Sequence, residues 1–183
     1  HLGYGFACAL LTLGRAQCWG DNAVGQIGNN GIGATVDPGQ APTGLSSGVA
    51  HLASAYDNTC IVTDTQTVKC WGKAGGAGAP CSGNQTTPLA IAGITNAVSV
   101  SMGASVGCAL TSTGEVKCWG QNQHGRFGNG STSSLCDITP KTANIGATVT
   151  KFGLGRGHGC ALTSVGQVKC WGFDHYGQAG GPT

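Results

Sequence analysis

The stretch CALTSTGEVKCWG, residues 108–120, decides how this chain is read. Cys108-Ala-Leu-Thr and Glu115-Val-Lys-Cys-Trp are two short β-type runs around Ser112-Thr113-Gly114, a three-residue link whose Gly suits the left-handed position of a bulged hairpin turn. If Thr111 and Glu115 flank the loop, Leu110 faces Val116, Ala109 faces Lys117 and Cys108 faces Cys118. Counted outward from a hydrogen-bonded flanking pair, the two cysteines fall on a non-hydrogen-bonded pair, where Cα atoms approach to ~4.5 Å and a disulfide is just attainable.

The pattern recurs three more times, as CALLTLGRAQCWG from Cys8, CIVTDTQTVKCWG from Cys60 and CALTSVGQVKCWG from Cys160. The copies start 52, 48 and 52 residues apart, a period of roughly 50 that falls in the range of propeller blades. All four Trp, namely Trp19, Trp71, Trp119 and Trp171, hold the same repeat position. The expected fold is an all-β propeller of about four repeats, each with a disulfide-bridged CWG hairpin, near 8–20, 60–72, 108–120 and 160–172. Candidate inner strands at 48–53, 97–102 and 147–152 number three against four hairpins. That count leaves the last blade incomplete within the chain and the fourth hairpin without an inner strand of its own. Residues 1–183 read as one propeller domain or a propeller segment, and the start at His1, without Met or signal peptide, has the look of a mature or excised piece.

Composition agrees with this reading. The 34 Gly and 6 Pro argue against long helices, and once a period exists much of the Gly falls in equivalent blade turns. Charged residues are only 9% of the chain and the net charge is +2, so no basic footprint for nucleic acid is present. The longest apolar stretches fall far short of the ~20 residues that span a bilayer, so no membrane insertion is expected.

CALTSTGEVKCWGQNQHGRFGNG and its relatives at Cys8 and Cys160 closely resemble the repeat of the regulator-of-chromosome-condensation family. Its β-propellers carry a hairpin, a Trp-Gly and a following Gly-Gln-Leu-Gly. Gly25-Gln26-Ile27-Gly28 and Gly177-Gln178-Ala179-Gly180 hold that second signature, and Gly125-Arg126-Phe127-Gly128 is a variant. The second copy departs, with Lys73-Ala-Gly-Gly-Ala-Gly-Ala-Pro in its place. The resemblance implies four-stranded blades with the Trp packed between neighbours. It also implies relatives that act as a nuclear exchange factor for a small GTPase or as secreted propellers that bind or inhibit proteins.

Ten Cys exceed what a reducing compartment tolerates unless they bind metal. Pairs spaced by ten residues are unlike the close Cys-x-x-Cys knuckles of zinc sites, which favours the disulfides Cys8–Cys18, Cys60–Cys70, Cys108–Cys118 and Cys160–Cys170 and a secreted, extracellular or cell-surface protein. Cys81 and Cys136 lie outside the repeat, in the loops after the second and third hairpins. They complete an even count by bridging adjacent blades, with free or intermolecular thiols as the alternative.

No catalytic set emerges. The CWG hairpin resembles the Asp-box hairpin of sialidases, but glycoside hydrolysis needs paired carboxylates or a Tyr nucleophile, usually with an Arg cluster. Glu115 is the single Glu, its repeat equivalents are Arg15, Thr67 and Gln167, and Arg15, Arg126 and Arg156 occupy different repeat positions. His51, His124, His158 and His175 show no metal-ligand spacing. Asp21 and Asp174 follow Trp19 and Trp171 by two and three residues, a place suited to capping a turn, with calcium as the alternative. No metal and no cofactor are expected. Asn84-Gln-Thr and Asn129-Gly-Ser are glycosylation acceptor triplets in predicted loops. The leading expectation is a non-enzymatic extracellular structural or adhesive propeller that self-associates with neighbouring copies, head to tail, into an array or filament. The alternative is a secreted binding propeller that recognises a protein or glycan through His124, Arg126, Phe173 and Tyr176.

Overall fold

A computed structural model describes residues 1–73 and 81–180. Fourteen strands in these residues form four antiparallel sheets in chain order. The first sheet holds β1 (Phe6–Leu11), β2 (Arg15–Asn22) and β3 (Gly33–Gln40). The second holds β4 (Val49–Ala55), β5 (Asn58–Thr63), β6 (Val68–Gly72) and β7 (Gln85–Ala90). The third holds β8 (Ala97–Met102), β9 (Val106–Thr111), β10 (Val116–Gln121) and β11 (Cys136–Thr142). The fourth holds β12 (Val149–Leu154), β13 (His158–Thr163) and β14 (Val168–Gly172). The only helical pieces among the described residues are single 3-10 turns at Thr12–Gly14 and Gln123–Gly125.

The hairpin register is the one the sequence dictates. Leu110 faces Val116, Ala109 faces Lys117 and Cys108 faces Cys118, and the same alignment recurs in β1–β2, β5–β6 and β13–β14. Each opposed cysteine pair is bridged with its Cα atoms 4.1 Å apart. In three turns the Thr before the loop accepts the backbone N–H of the residue after it: Thr63 from Thr67 at 3.1 Å, Thr111 from Glu115 at 3.0 Å and Thr163 from Gln167 at 3.1 Å. The left-handed loop residue is Gly14, Gly114 or Gly166, but in the second hairpin Gln66 takes it at φ 62°.

The strand bookkeeping differs from the expectation at one point. The run 147–152 becomes β12, which pairs with β13, so the fourth hairpin does have an inner strand. The hairpin without one, among the described residues, is the first. Each inner strand precedes its own hairpin through a tight turn, as at Gly155–Gly157, and therefore belongs to the blade that follows it in sequence. The fourth blade is still three-stranded, because what it lacks is an outer partner for β14.

The core lies between blades rather than within them. Phe6, Cys18, Ile27 and Leu45 of the first blade pack with Leu52, Ile61 and Trp71 of the second. Val62, Val68, Ile91 and Ile94 of the second pack with Val100, Met102 and Trp119 of the third. Val106, Val116, Phe127 and Ile145 of the third pack with Val149, Ala161 and the partly buried Trp171 of the fourth. A sheet apolar on both faces must be covered on both, and stacking blades side by side is how this chain does it. Inner strands also touch directly: Val100 N–H donates to His51 Nδ1 at 3.4 Å, and Leu154 N–H donates to Ser101 Oγ at 3.0 Å.

The fifth disulfide, Cys81–Cys136, joins the second blade to the third with its Cα atoms 5.5 Å apart. Cys136 sits at the first position of β11, opposite Gln121, rather than in a loop.

Candidate functional site

The loop after each Trp is built by side chains that replace backbone partners. Asn22 Oδ1 accepts from Ile27 N–H at 3.0 Å while its Nδ2 donates to the Gly31 carbonyl at 3.0 Å. Asn122 repeats this with Phe127 N–H at 2.8 Å and the Ser131 carbonyl at 2.9 Å. In the fourth blade Asp174 Oδ1 accepts from Ala179 N–H at 2.6 Å. Asn22 and Asn122 are buried, and both were missed in the sequence. Their signal was there, as the position three residues beyond Trp19 and Trp119 that Asp174 also fills.

Trp71 and Trp171 each lock the loop of the preceding blade to their own blade. Trp71 Nε1 donates to the Gln26 carbonyl at 2.8 Å, and Trp171 Nε1 donates to the Arg126 carbonyl at 2.9 Å. Gly28 and Gly128 lie flat on these indoles, where an added Cβ would sit 2.7 and 2.8 Å from ring atoms. This explains the final Gly of the 25–28 and 125–128 runs. The Gln side chains cap the same loop, Gln26 Oε1 accepting from Val24 N–H at 2.9 Å and Gln178 Oε1 from Tyr176 N–H at 2.7 Å.

Arg126 holds the position of Gln26 and Gln178. Its carbonyl keeps the structural duty to Trp171, but a guanidinium has no acceptor with which to cap the turn. Its side chain instead enters a groove of about 600 Å³ between the third and fourth blades, lined also by His124, Arg156, His158, Phe173 and Tyr176. All four residues expected as loop contacts thus meet in one place. His124 meets Phe173 edge-on at 5.0 Å between ring centroids, Phe173 stacks with His175 at 6.0 Å, and His175 meets Tyr176 at 4.7 Å. Tyr176 is 80% exposed. Burial, and then the like charge of Arg156, push the Arg126 guanidinium below its ordinary value. Arg126 Nε is buried without a hydrogen-bond partner among the described residues.

Arg156 was set apart by its different repeat position. The structure brings it to Arg126 because the loop of one blade lies beside the β12–β13 turn of the next, a neighbourhood that repeat alignment does not display. Arg15 stays away, paired with Leu11 at the start of β2.

The remaining candidates fall elsewhere. Glu115 is exposed at the third hairpin turn and accepts from Thr113 Oγ1 at 3.4 Å. Asp21 Oδ1 accepts from Ala23 N–H at 2.9 Å, a turn cap like that of Asp174. His51 lies on β4. Asn84 is exposed just before β7, whereas Asn129 Oδ1 accepts from Ser131 N–H at 3.1 Å and from its hydroxyl at 2.8 Å. The first blade's Asn29 makes the same turn to Gly31 N–H at 3.2 Å. Asn129 therefore has a structural reason to be there. Of the variant run after Trp71, residues 74–80 lie outside the described residues. Among the described residues no group of three or more His, Cys, Asp or Glu is placed to hold a metal, and no helix is long and apolar enough to cross a membrane.

Four stacked antiparallel sheets, Trp-clasped Gly-rich loops and hairpin disulfides define a disulfide-braced β-propeller. The profile of the regulator of chromosome condensation (RCC1) repeat matches residues 2–26, 97–126 and 149–178. These three segments carry RCC1-type repeats. The fold of the chain is similar to that of yeast RCC1 (Prp20), solved with Kap60, at a TM-score of 0.79 and 20% identity over 99% of this chain and 45% of that one. It is similar to human WBSCR16 at a TM-score of 0.76 and 20% identity, over 93% and 46% of the two chains. The ectodomain of the Physcomitrella patens receptor kinase CR4 matches at 0.58 and 21%, over 93% and 39%. The chain thus spans less than half the length of these solved relatives.

Proposed function

We propose that the chain is a non-enzymatic, extracellular binding propeller that recognises a protein through its loop face, with a glycan as the alternative ligand. One observation carries this: His124, Arg126, Phe173 and Tyr176, from the loops of two neighbouring blades, converge on one groove, while backbone atoms, Gly and Asn do the structural work of those loops. Tyr and Arg around a desolvated pocket are the residues that dominate protein recognition. Five disulfides suit an oxidising compartment. Glu115 sits on the hairpin turn away from the groove, which leaves glycosidase chemistry without its carboxylate pair. The fold's likeness to yeast Prp20, which is solved with Kap60 and has binding properties to Gsp1p and histones, supports a protein partner. The test is surface binding of the source organism's extracellular proteins to the wild type and to H124A, F173A and Y176A. Loss of the bound partner with unchanged circular dichroism is expected, and full binding by all three variants overturns the reading.

A second reading, a structural or adhesive module joining copies head to tail into an array or filament, is favoured by the outer face of the fourth blade. Val168 is 69% exposed there, whereas its repeat equivalents Val68 and Val116 are 0% and 1% exposed. Light scattering and electron microscopy of the purified chain decide it. Growth of mass with concentration, or fibres, supports the array, and a monodisperse single particle contradicts it.

A further inference from the structure

Resting on the loop-face reading, we infer that Arg126 and Arg156 form a carboxylate-binding subsite for an acidic segment of a protein partner. Two guanidinium groups share the groove, and neither is in an ion pair among the described residues, where the pairs are Lys73–Asp57 and Lys141–Asp137. Like charges held side by side are unfavourable until an anion lies between them, and a guanidinium fork matches a carboxylate in plane and spacing. The buried Arg126 Nε–H has no acceptor among the described residues, and buried donors are seldom left that way.

The repeat itself shows that this Arg serves no folding need. Sister repeats place Gln at the position, where Oε1 caps the loop, and the third repeat forgoes that cap while keeping the carbonyl bond to Trp171. Gly157 completes the arrangement. It is buried, and a Cβ there would stand 3.3 Å from Arg126 Nε and 3.3 Å from Phe173 Cβ. A bare backbone at 157 leaves the guanidinium room to lie against the groove floor. His124 and Phe173 form an aromatic wall, and Tyr176 projects at the rim. An apolar wall beside paired cations fits a peptide that alternates acidic and apolar side chains.

The test measures binding of poly-L-glutamate to the purified chain by biolayer interferometry at fixed ionic strength, with polygalacturonate as the same carboxylate on a sugar chain. Arg126→Gln installs the residue of the sister repeats, so the fold is retained. It and Arg156→Gln are each expected to weaken poly-glutamate binding at least tenfold. Gly157→Ala, which keeps both charges, should weaken it severalfold. Lys151→Gln, an equal loss of charge on exposed β12, should change it less than twofold. Equal losses in all the charge variants would reduce the effect to net charge and overturn the subsite. Tighter binding of polygalacturonate would overturn the peptide assignment. If R126Q and R156Q leave poly-glutamate binding intact while F173A and Y176A abolish capture of the partner, the subsite falls and the loop-face reading stands. Partner capture that survives F173A and Y176A brings down the loop-face reading itself.

Discussion

Replacing Val116 and Val168 by Ala, one at a time, removes the same two methyl groups from the same repeat position in two environments. Val116 is 1% exposed and packs in the core between the third and fourth blades with Ile145 and Val149. Val168 is 69% exposed on the far side of the fourth blade. At about 0.8 kcal/mol per buried carbon, plus a share for the cavity left behind, V116A costs about 2 kcal/mol. V168A removes little buried area and should stay within about 0.5 kcal/mol of wild type. Equilibrium urea unfolding read by Trp fluorescence measures both, and for a chain of this size the V116A loss corresponds to a fall of about 4–8 °C in Tm. Equal losses would refute the reasoning, because Val168 would then be covered in solution by something the chain itself does not supply. If V116A costs nothing, the claim that the cores lie between blades fails.

Three further outcomes follow from the same geometry. The Cys81–Cys136 bridge closes a separation of 55 residues, so C81A/C136A should lose about 4 kcal/mol by the chain-entropy relation, measured by urea unfolding under non-reducing conditions. Gln66 occupies a left-handed position at φ 62° and is exposed; Gln66→Gly should stabilise by about 1 kcal/mol, seen as a higher Tm. Burial holds the pKa of His51 below 6.5, and its Nδ1 accepts from Val100 N–H. The folded state therefore takes up this proton less readily than the unfolded chain, so stability is unaffected above the ordinary pKa, falls as pH drops below 6.5, and levels off once pH passes the lowered folded value. H51Q should flatten that part of a pH–Tm curve.

The hairpins were legible to the residue because their information is local. A turn with Gly at its third position and a two-residue alternation fix Cys108 against Cys118 without reference to the rest of the chain. The Trp clasp was legible only through the family resemblance, since its partner, the Arg126 or Gln26 carbonyl, belongs to the neighbouring blade and leaves no mark in composition. The hairpin without an inner strand was misjudged: three runs against four hairpins left the fourth one short, although a run that serves the following blade leaves the first one short instead. The pairing of β12 with β13 through a tight turn decides it. Arg156 and Gly157 were invisible as site residues for a related reason. Aligning repeats compares equivalent positions, whereas the groove is made of non-equivalent positions from adjacent blades. Arg126 was the readable part, as an Arg in the slot where the first and fourth repeats carry Gln.

The most direct test of the binding account places a photo-activated cross-linking amino acid at position 176 in one variant and at position 168 in another, irradiates each in the extracellular mixture of the source organism, and identifies the adducts by mass spectrometry. The loop-face account predicts a specific protein adduct at 176, competed by unlabelled chain, and only scattered background at 168. A dominant adduct at 168 to a second copy of this chain, with position 176 unreacted, would contradict it.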